Sequence, residues 1–223
     1  MTGLPQGRRR ARSAGEKDTR RAALIAAAAA ALAERGYEAV TISAVAAGAG
    51  VAKGTAYLYF PTRDALFLAL LTDDLGLWLD DLPAAIAAQP GPDAAHRVAH
   101  AIAATLAQRP RLLELLSLVH STLEPNTPPE ELGQFKRFLL ERTVATGGML
   151  AEILGITPAR GVDLLLRAHV LAIGLRQMTA ESPHLEVVFA AQPALAALRV
   201  PFEATLAACL ADMMRGWTSE PAA

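Results

Sequence analysis

The chain has 223 residues, enough for one large or two small domains, each with a hydrophobic core. Apolar residues make up 52% of the chain and aromatic residues only 5%, which indicates a core of alanine and leucine and favours helices. Because no segment alternates apolar and polar residues as a half-buried strand does, we predict an all-α fold. The single cysteine, Cys209, excludes a disulfide framework within the chain and fits a reducing compartment, so we expect a cytoplasmic protein.

The charge is divided unevenly along the chain. Residues 1–63 carry 10 Lys or Arg against 4 Asp or Glu, which is +6, and residues 64–223 carry 11 against 18, which is −7. A basic segment of this kind commonly binds phosphate groups, because each neutralised phosphate releases condensed counterions. For the first arginines, Arg8, Arg9, Arg10 and Arg12, a solvated and disordered tail is an equally good interpretation.

Residues 20–33 imitate a secretory leader, since two arginines precede an apolar run that contains an Ala-Leu-Ala triplet. The run is nearly all alanine, a strong helix former, and is far shorter than the roughly 20 residues that span a bilayer. We therefore interpret it as the first helix of a protein without a membrane segment. Export with a twin-arginine-like leader remains the less favoured alternative.

Four segments are predicted along the chain: a flexible basic arm over 1–17, a helix-turn-helix domain over 18–61, a helical ligand-binding and dimerisation domain over 62–217, and a tail over 218–223. The first helix is expected over about 18–35, and its inner face consists of Leu24, Ile25, Ala28 and Leu32.

Thr41 is a good N-cap for a second helix that reaches about Gly48, and a third helix is expected over about 52–58. Thr62 caps a long fourth helix. Proline and glycine then separate the remaining segments, with one break near Pro83. The later helices are predicted near 93–108, 110–123, 128–154, 158–181 and 201–217.

The segment Thr41–Phe60, TISAVAAGAGVAKGTAYLYF, indicates a helix-turn-helix. Its inner face is formed by Ile42, Val45 and Val51, and the small Ala46 permits two helices to cross closely. Gly50 is suited to the left-handed conformation of a tight turn. The third helix would then present hydrogen-bonding side chains to a DNA major groove, namely Lys53, Thr55, Tyr57 and Tyr59.

The stretch Gly50–Phe60 with the following PTRDAL, together with Arg35-Gly36-Tyr37, resembles the tetracycline-repressor (TetR) family over about residues 20–70. The resemblance implies a three-helix DNA-binding domain, a larger helical regulatory domain, a homodimer, and repression of operator DNA that a small ligand relieves.

The resemblance also implies roles for individual residues. Thr41 and Ser43 would contact phosphate at the start of the second helix, and Arg63 would contact phosphate from the fourth. Lys53, Thr55, Tyr57 and Tyr59 would contact the DNA backbone or bases. Tyr57 and Tyr59 are amphipathic and could pack instead, with binding favoured for Tyr57, whereas Tyr37 and Phe60 are expected in the core. Two positions depart from the usual pattern: Ala52 replaces a frequent serine cap, and Leu58 replaces a polar or aromatic residue. These departures affect the operator sequence, not the class of partner.

The last two helices carry more apolar surface than one core needs. Residues 162–178 are apolar around most of the circumference, which predicts burial on two sides. The final helix has an apolar stripe of Phe202, Leu206, Cys209, Leu210, Met213 and Trp217. We therefore predict a homodimer through about 158–181 and 201–217. The alternative is that both helices complete the core of a monomer.

The apolar interior of residues 93–181 favours a hydrophobic or aromatic effector over a phosphorylated metabolite. Candidate lining residues, each of which could equally be ordinary core or surface, are Trp78, His120, Phe138, Arg142 and Met178. His96 and His100 lie one turn apart, but no acidic or cysteine motif accompanies them, so no metal site, cofactor or catalytic residue is predicted. The alternative function is an all-helical enzyme or small-molecule carrier with an incidental basic N-terminus.

Overall fold

The computed structural model describes residues 6–179 and 182–218, and the side chains of 15–179 and 182–217. Every regular element within these ranges is helical, which confirms the all-α prediction. The chain divides into two compact units. The first contains the residues up to Leu70 together with His120–Phe135, and the second contains Leu71–Val119 and the residues from Lys136 onward.

The helices have the following bounds: α1 (Gln6–Arg35), α2 (Ile42–Gly48), α3 (Lys53–Tyr59), α4 (Arg63–Ala88), α5 (Ala94–Ala107), α6 (Pro110–Leu118), α7 (Pro129–Leu154), α8 (Pro158–Met178), α9 (Pro183–Ala191) and α10 (Phe202–Thr218). Short 3₁₀ turns cover Tyr37–Ala39 and Pro193–Leu198, and a π-helical turn covers Val119–Leu123. Both α4 and α7 contribute residues to each of the two units.

The first helix begins at Gln6, within the segment 1–17 that was predicted as a flexible arm. Residues 6–17 contain no proline and several strong helix formers, so the helical backbone extends beyond the apolar face that marked it in the sequence. The side chains of Arg8, Arg9, Arg10 and Arg12 lie outside the described part. From Leu24 onward the inner face is as predicted, with Leu24, Ile25, Ala28 and Leu32 all buried.

The predicted break near Pro83 is wrong, because α4 continues through this residue to Ala88. A proline inside a helix removes one backbone hydrogen bond and opposes the preceding turn. Buried side chains before and after it, Leu79, Leu82 and Ile86, pack into the core of the second unit. The burial of these side chains outweighs the local cost of the proline.

Two other boundaries differ from the sequence prediction, and one helix is additional. The helix expected over 110–123 ends at Leu118 and is followed by the π-helical turn, and α8 ends at Met178. Helix α9 was not predicted. It starts at Pro183 with the Ser182 hydroxyl accepting from the Leu185 amide at 3.5 Å. Residues 180–181 and 219–223, which include the end of the predicted 158–181 helix and most of the tail, lie outside the described part.

Helix α10 packs against α5 and α8 within the second unit. Leu206 and Leu210 are both fully buried, so the middle of the apolar stripe belongs to the chain's own core. The chain itself covers these two leucines, and the dimer through about 158–181 and 201–217 stays a prediction. The exposed residues of α10 include Cys209.

None of the helices in the described ranges is long and apolar enough to cross a membrane.

Candidate nucleic-acid interface

Helix α2 begins with the cap that the sequence predicted. The Thr41 hydroxyl oxygen accepts a hydrogen bond from the Ala44 amide at 3.2 Å, and the backbone of Thr41 is extended. Thr41 and Ser43 are both exposed at this end of the helix. Since capping uses the Thr41 oxygen as an acceptor, the hydroxyl proton can still be donated to a phosphate oxygen.

The turn between α2 and α3 depends on Gly50, whose φ is +67°. A side chain is disfavoured there by conformation and not by space, because a β-carbon would meet no atom within 4 Å. The Val51 amide donates to the Ala46 carbonyl at 3.0 Å, which closes the turn. Ala46 is fully buried, as expected where two helices cross closely.

Helix α3 is anchored on one side by Ala56, and Phe60 is buried directly after the helix ends. Lys53 and Tyr57 are exposed, and the Lys53 Nζ lies 6.0 Å from the centroid of the Tyr57 ring. Thr55 and Tyr59 are half-buried at the flanks. Ala52 precedes the helix with an extended backbone. Its side chain makes no capping hydrogen bond, as expected where alanine replaces the frequent serine.

Arg63 is held inside the first unit. Its guanidinium donates to the carbonyl oxygens of Tyr37 at 3.4 Å and Val40 at 3.3 Å, and it lies 4.3 Å from the centre of the Tyr37 ring. The Asp64 carboxylate is 3.7 Å away. A phosphate contact from Arg63 stays a prediction, and phosphate would compete with these partners for the guanidinium.

Tyr37 and Phe60 are core residues, as predicted, and both are buried. The Tyr37 hydroxyl donates to the Asp64 carboxylate, and its ring centroid lies 4.9 Å from that of Phe67. Burial, reinforced by the hydrogen bond to Asp64, raises the pKa of the Tyr37 phenol far above its ordinary value. The neutral phenol thus joins the turn before α2 to the first turn of α4.

The first turn of α4 is also fixed by Thr62. Its hydroxyl oxygen accepts from the Ala65 amide at 3.0 Å, as the sequence predicted, and its proton is donated to the Asn126 carbonyl at 3.2 Å. This second bond was not predictable from a local pattern, because Asn126 lies far along the chain. It ties the start of α4 to the segment His120–Phe135 of the same unit.

The five candidate ligand residues do not form one described site. Phe138 and Arg142 meet α4 at Gly76: a β-carbon on Gly76 would lie 3.6 Å from the Phe138 ring, and Arg142 Nη2 is 3.4 Å from the Gly76 carbonyl oxygen. Arg142 also pairs with Asp80. Its Nε is buried without a hydrogen-bond partner, and no other side-chain nitrogen or oxygen in the described part shares that condition.

Trp78 is buried, and its indole Nε1 donates to the Thr105 hydroxyl at 2.9 Å. Its polar atom is therefore satisfied inside the second unit. His120 is exposed in the first unit, where its Nδ1 lies 3.5 Å from the Glu124 carboxylate. Met178 is exposed at the end of α8, beside an open groove of about 1240 Å³ that α9 and the following 3₁₀ turn line.

The rings of His96 and His100 lie close together on α5, with centroids 4.0 Å apart. Within the described ranges, no group of three or more His, Cys, Asp or Glu side chains is arranged to hold a metal ion.

Comparison with known proteins places both parts of the chain in one family. The family model for bacterial regulatory proteins of the tetR family matches residues 24–70, and the model for the tetracyclin repressor-like C-terminal domain matches residues 72–221. The transcriptional regulator EthR of Mycolicibacterium smegmatis is 39% identical over 71 residues, which are 32% of this chain and 32% of EthR. The chain thus matches about a third of the length of this relative.

Two solved structures show the same fold over nearly the whole chain. Thermus thermophilus FadR, a repressor solved with lauroyl-CoA, has a TM-score of 0.57 at 19% identity and covers 91% of this chain and 97% of its own. RolR, solved with resorcinol, has a TM-score of 0.55 at 22% identity and covers 94% and 98%. With its N-terminal and C-terminal parts both matched by family models, the chain belongs to the TetR family of bacterial regulatory proteins.

Proposed function

We propose that this protein is a homodimeric transcriptional repressor that binds operator DNA through α2 and α3 and is released by a small hydrophobic or aromatic ligand. The observation that carries the proposal is the geometry of α3, which is anchored by Ala56 and followed by the buried Phe60, while Lys53 and Tyr57 are exposed beside the Gly50 turn. A short helix that is fixed on one side and exposes the hydrogen-bonding side chains of Lys53 and Tyr57 on the other suits the major groove.

The roles of the contacting side chains follow from their chemistry. Thr41, Ser43 and Lys53 supply sequence-independent contacts to phosphate, which give much of the affinity. Thr55 and Tyr57, with Tyr59 at the flank, discriminate between base edges. Arg63 already has partners within the first unit, since its guanidinium donates to the Tyr37 and Val40 carbonyls.

The proposed dimer interface lies in residues 158–181 and 201–217 and is centred on α8. Leu166, Val170 and Met178 are exposed there, and their spacing puts them on one face of the helix. Val170 alone is 68% exposed. Covering such a stripe with a second copy removes apolar surface from water, and two-fold pairing of equivalent helices is the usual arrangement in dimers.

The proposed effector site is in the second unit, near Gly76, Phe138 and Arg142. The aromatic ring of Phe138 offers an apolar contact, and the buried Arg142 Nε offers a hydrogen-bond donor without a partner. A ligand that is largely apolar and carries one acceptor fits this combination. The ligands of the solved relatives, lauroyl-CoA and resorcinol, each include an apolar part.

The test is binding to the DNA upstream of the protein's own gene and to a random-sequence pool, measured by fluorescence anisotropy over a range of salt concentrations. We expect a roughly palindromic site to be selected and bound by a dimer with salt-dependent affinity. A protein that binds neither DNA with salt-dependent affinity would contradict the regulator function.

The effector is tested by adding hydrophobic drugs, fatty acids and aromatic acids to the operator complex, with sugar phosphates and metal ions as controls. A releasing compound must bind the DNA-free protein more tightly than the complex by the same factor by which it weakens operator binding. Release by sugar phosphates or metal ions alone would contradict the apolar site.

A further inference from the structure

The outermost side chain of α3 is Leu58, which is 83% exposed and is the most exposed of the large apolar side chains in the described part. Ala56 and Phe60, two residues before and two residues after it, are both buried. Since successive residues of a helix turn by about 100°, Leu58 lies about 200° around α3 from the buried Ala56 and points away from it. The side that faces away from the core is therefore centred on Leu58, and Tyr57 stands to one side of it.

Gly54 lies one helical turn before Leu58 and on the same face. It is exposed, and a β-carbon placed on it would meet no atom within 4 Å. The glycines with positive φ in the described ranges are Gly36, Gly50 and Gly155, so Gly54 needs no special backbone conformation. Glycine weakens a helix relative to alanine, and nothing in the chain itself requires it here.

These two positions give the outer face of α3 a particular chemistry. Its centre is apolar and carries neither donor nor acceptor, and the residue one turn earlier has no side chain. In the major groove, the apolar group that a base pair presents is the C5-methyl group of thymine, while the other base edges present donors and acceptors. A leucine set against those polar edges would remove them from water without replacing their hydrogen bonds.

We infer that Leu58 is a specificity-determining residue that contacts the C5-methyl group of thymine in the operator, and that Gly54 allows α3 to approach the bases closely enough for this contact. The inference rests on the proposed function as an operator-binding protein. Leu58 then supplies a part of the discrimination between base pairs that the hydrogen-bonding side chains of Thr55 and Tyr57 do not supply.

The experiment uses the full-length protein and an operator selected from a random pool. Each thymine of one half-site is replaced in turn by deoxyuridine, which lacks only the C5-methyl group, and the dissociation constant is measured for wild type, Leu58→Ala and Leu140→Ala. Leu140 is a matched control because it is another exposed leucine, in α7. Thermal unfolding confirms that each variant is folded.

For wild type and Leu140→Ala, we expect the loss of one methyl group to weaken binding about fourfold at one or two positions, since a buried methyl group contributes about that factor. For Leu58→Ala, deoxyuridine at the same positions should have no effect. Gly54→Ala should weaken operator binding without lowering the unfolding temperature.

The inference is overturned if deoxyuridine has the same effect on wild type and on Leu58→Ala at every position, or if the selected half-site contains no thymine in the contacted region. In both cases the selected operator still supports the regulator function. If wild type selects no DNA at all, the proposed function fails and the inference fails with it.

Discussion

The backbone carbonyl oxygen of Gly147 in α7 lies against the α-carbon of Gly161 in α8. A β-carbon on Gly161 would be 1.9 Å from that oxygen, and a β-carbon on Gly147 would be 2.8 Å from the Val162 backbone nitrogen. The two helices therefore approach closely here, and neither glycine leaves room for a β-carbon. Gly148, the next residue of α7, has no atom within 4 Å of the place where its β-carbon would be.

From this contact we expect an added methyl group to have opposite effects on the free energy of unfolding at Gly147 and at Gly148. Gly147→Ala should lower the free energy of unfolding by about 1–3 kcal/mol, because α7 and α8 must move apart. Gly148→Ala should leave it unchanged or raise it by up to about 1 kcal/mol, because alanine favours the helix. Urea unfolding of both variants is the measurement. Equal effects would mean that the crossing is not tightly packed.

Because the pKa of the Tyr37 phenol is raised in the folded protein, we expect the protein to lose stability in alkaline solution. The folded-state pKa of Tyr37 is raised by burial and by Asp64, so the stabilisation is complete below the unfolded-state pKa of about 10 and is lost as the pH rises above it. At neutral pH, Tyr37→Phe should cost about 2 kcal/mol, since it removes a hydrogen bond to a carboxylate. The difference between the two proteins should shrink from pH 9 to pH 11 (roughly one unit either side of the phenol's ordinary pKa). A constant difference across that range would contradict the assignment.

Removing the charge of Lys53 should change the salt dependence of DNA binding. If each Lys53 neutralises one phosphate, Lys53→Ala should reduce the slope of log K against log salt concentration by about 0.9 for each subunit, or about 1.8 for a dimer. Lys136→Ala, which removes an exposed lysine of α7, serves as the control and should keep the wild-type slope. An unchanged slope for Lys53→Ala would place Lys53 away from phosphate.

We expect substitution by aspartate to have different effects on folding and assembly at Val170 and at Leu206. Val170→Asp should give a folded monomer, because the side chain is 68% exposed in the single chain and lies on the proposed dimer face. Leu206→Asp should unfold the protein, because an unpaired charge would be buried in its core. Sedimentation and circular dichroism distinguish the two outcomes, with Leu140→Asp as an exposed control.

The monomer made by Val170→Asp should lose operator affinity more than non-specific DNA affinity, since it no longer gains from two linked half-site contacts. A Val170→Asp protein that remains dimeric would place the interface elsewhere.

Several features of this protein were predictable because they depend on neighbouring residues. Thr41 and Thr62 cap helices through amides three residues ahead, and Gly50 adopts a positive φ in a turn between two short helices. The buried face of α1 follows from apolar spacing alone. The resemblance around Gly50–Phe60 rests on the same local pattern, so α2, α3 and the turn between them lie where the sequence predicts them.

Other features depend on which distant residues pack together, and these only the tertiary structure decided. Arg63 is drawn to the Tyr37 and Val40 carbonyls, and α4 continues through Pro83 because buried residues lie on both sides of it. An apolar stripe indicates that a helix face is covered but not what covers it, so Leu206 and Val170 look alike in the sequence. Burial against neighbouring helices distinguishes them: Leu206 is enclosed by its own chain, and Val170 is left exposed on α8.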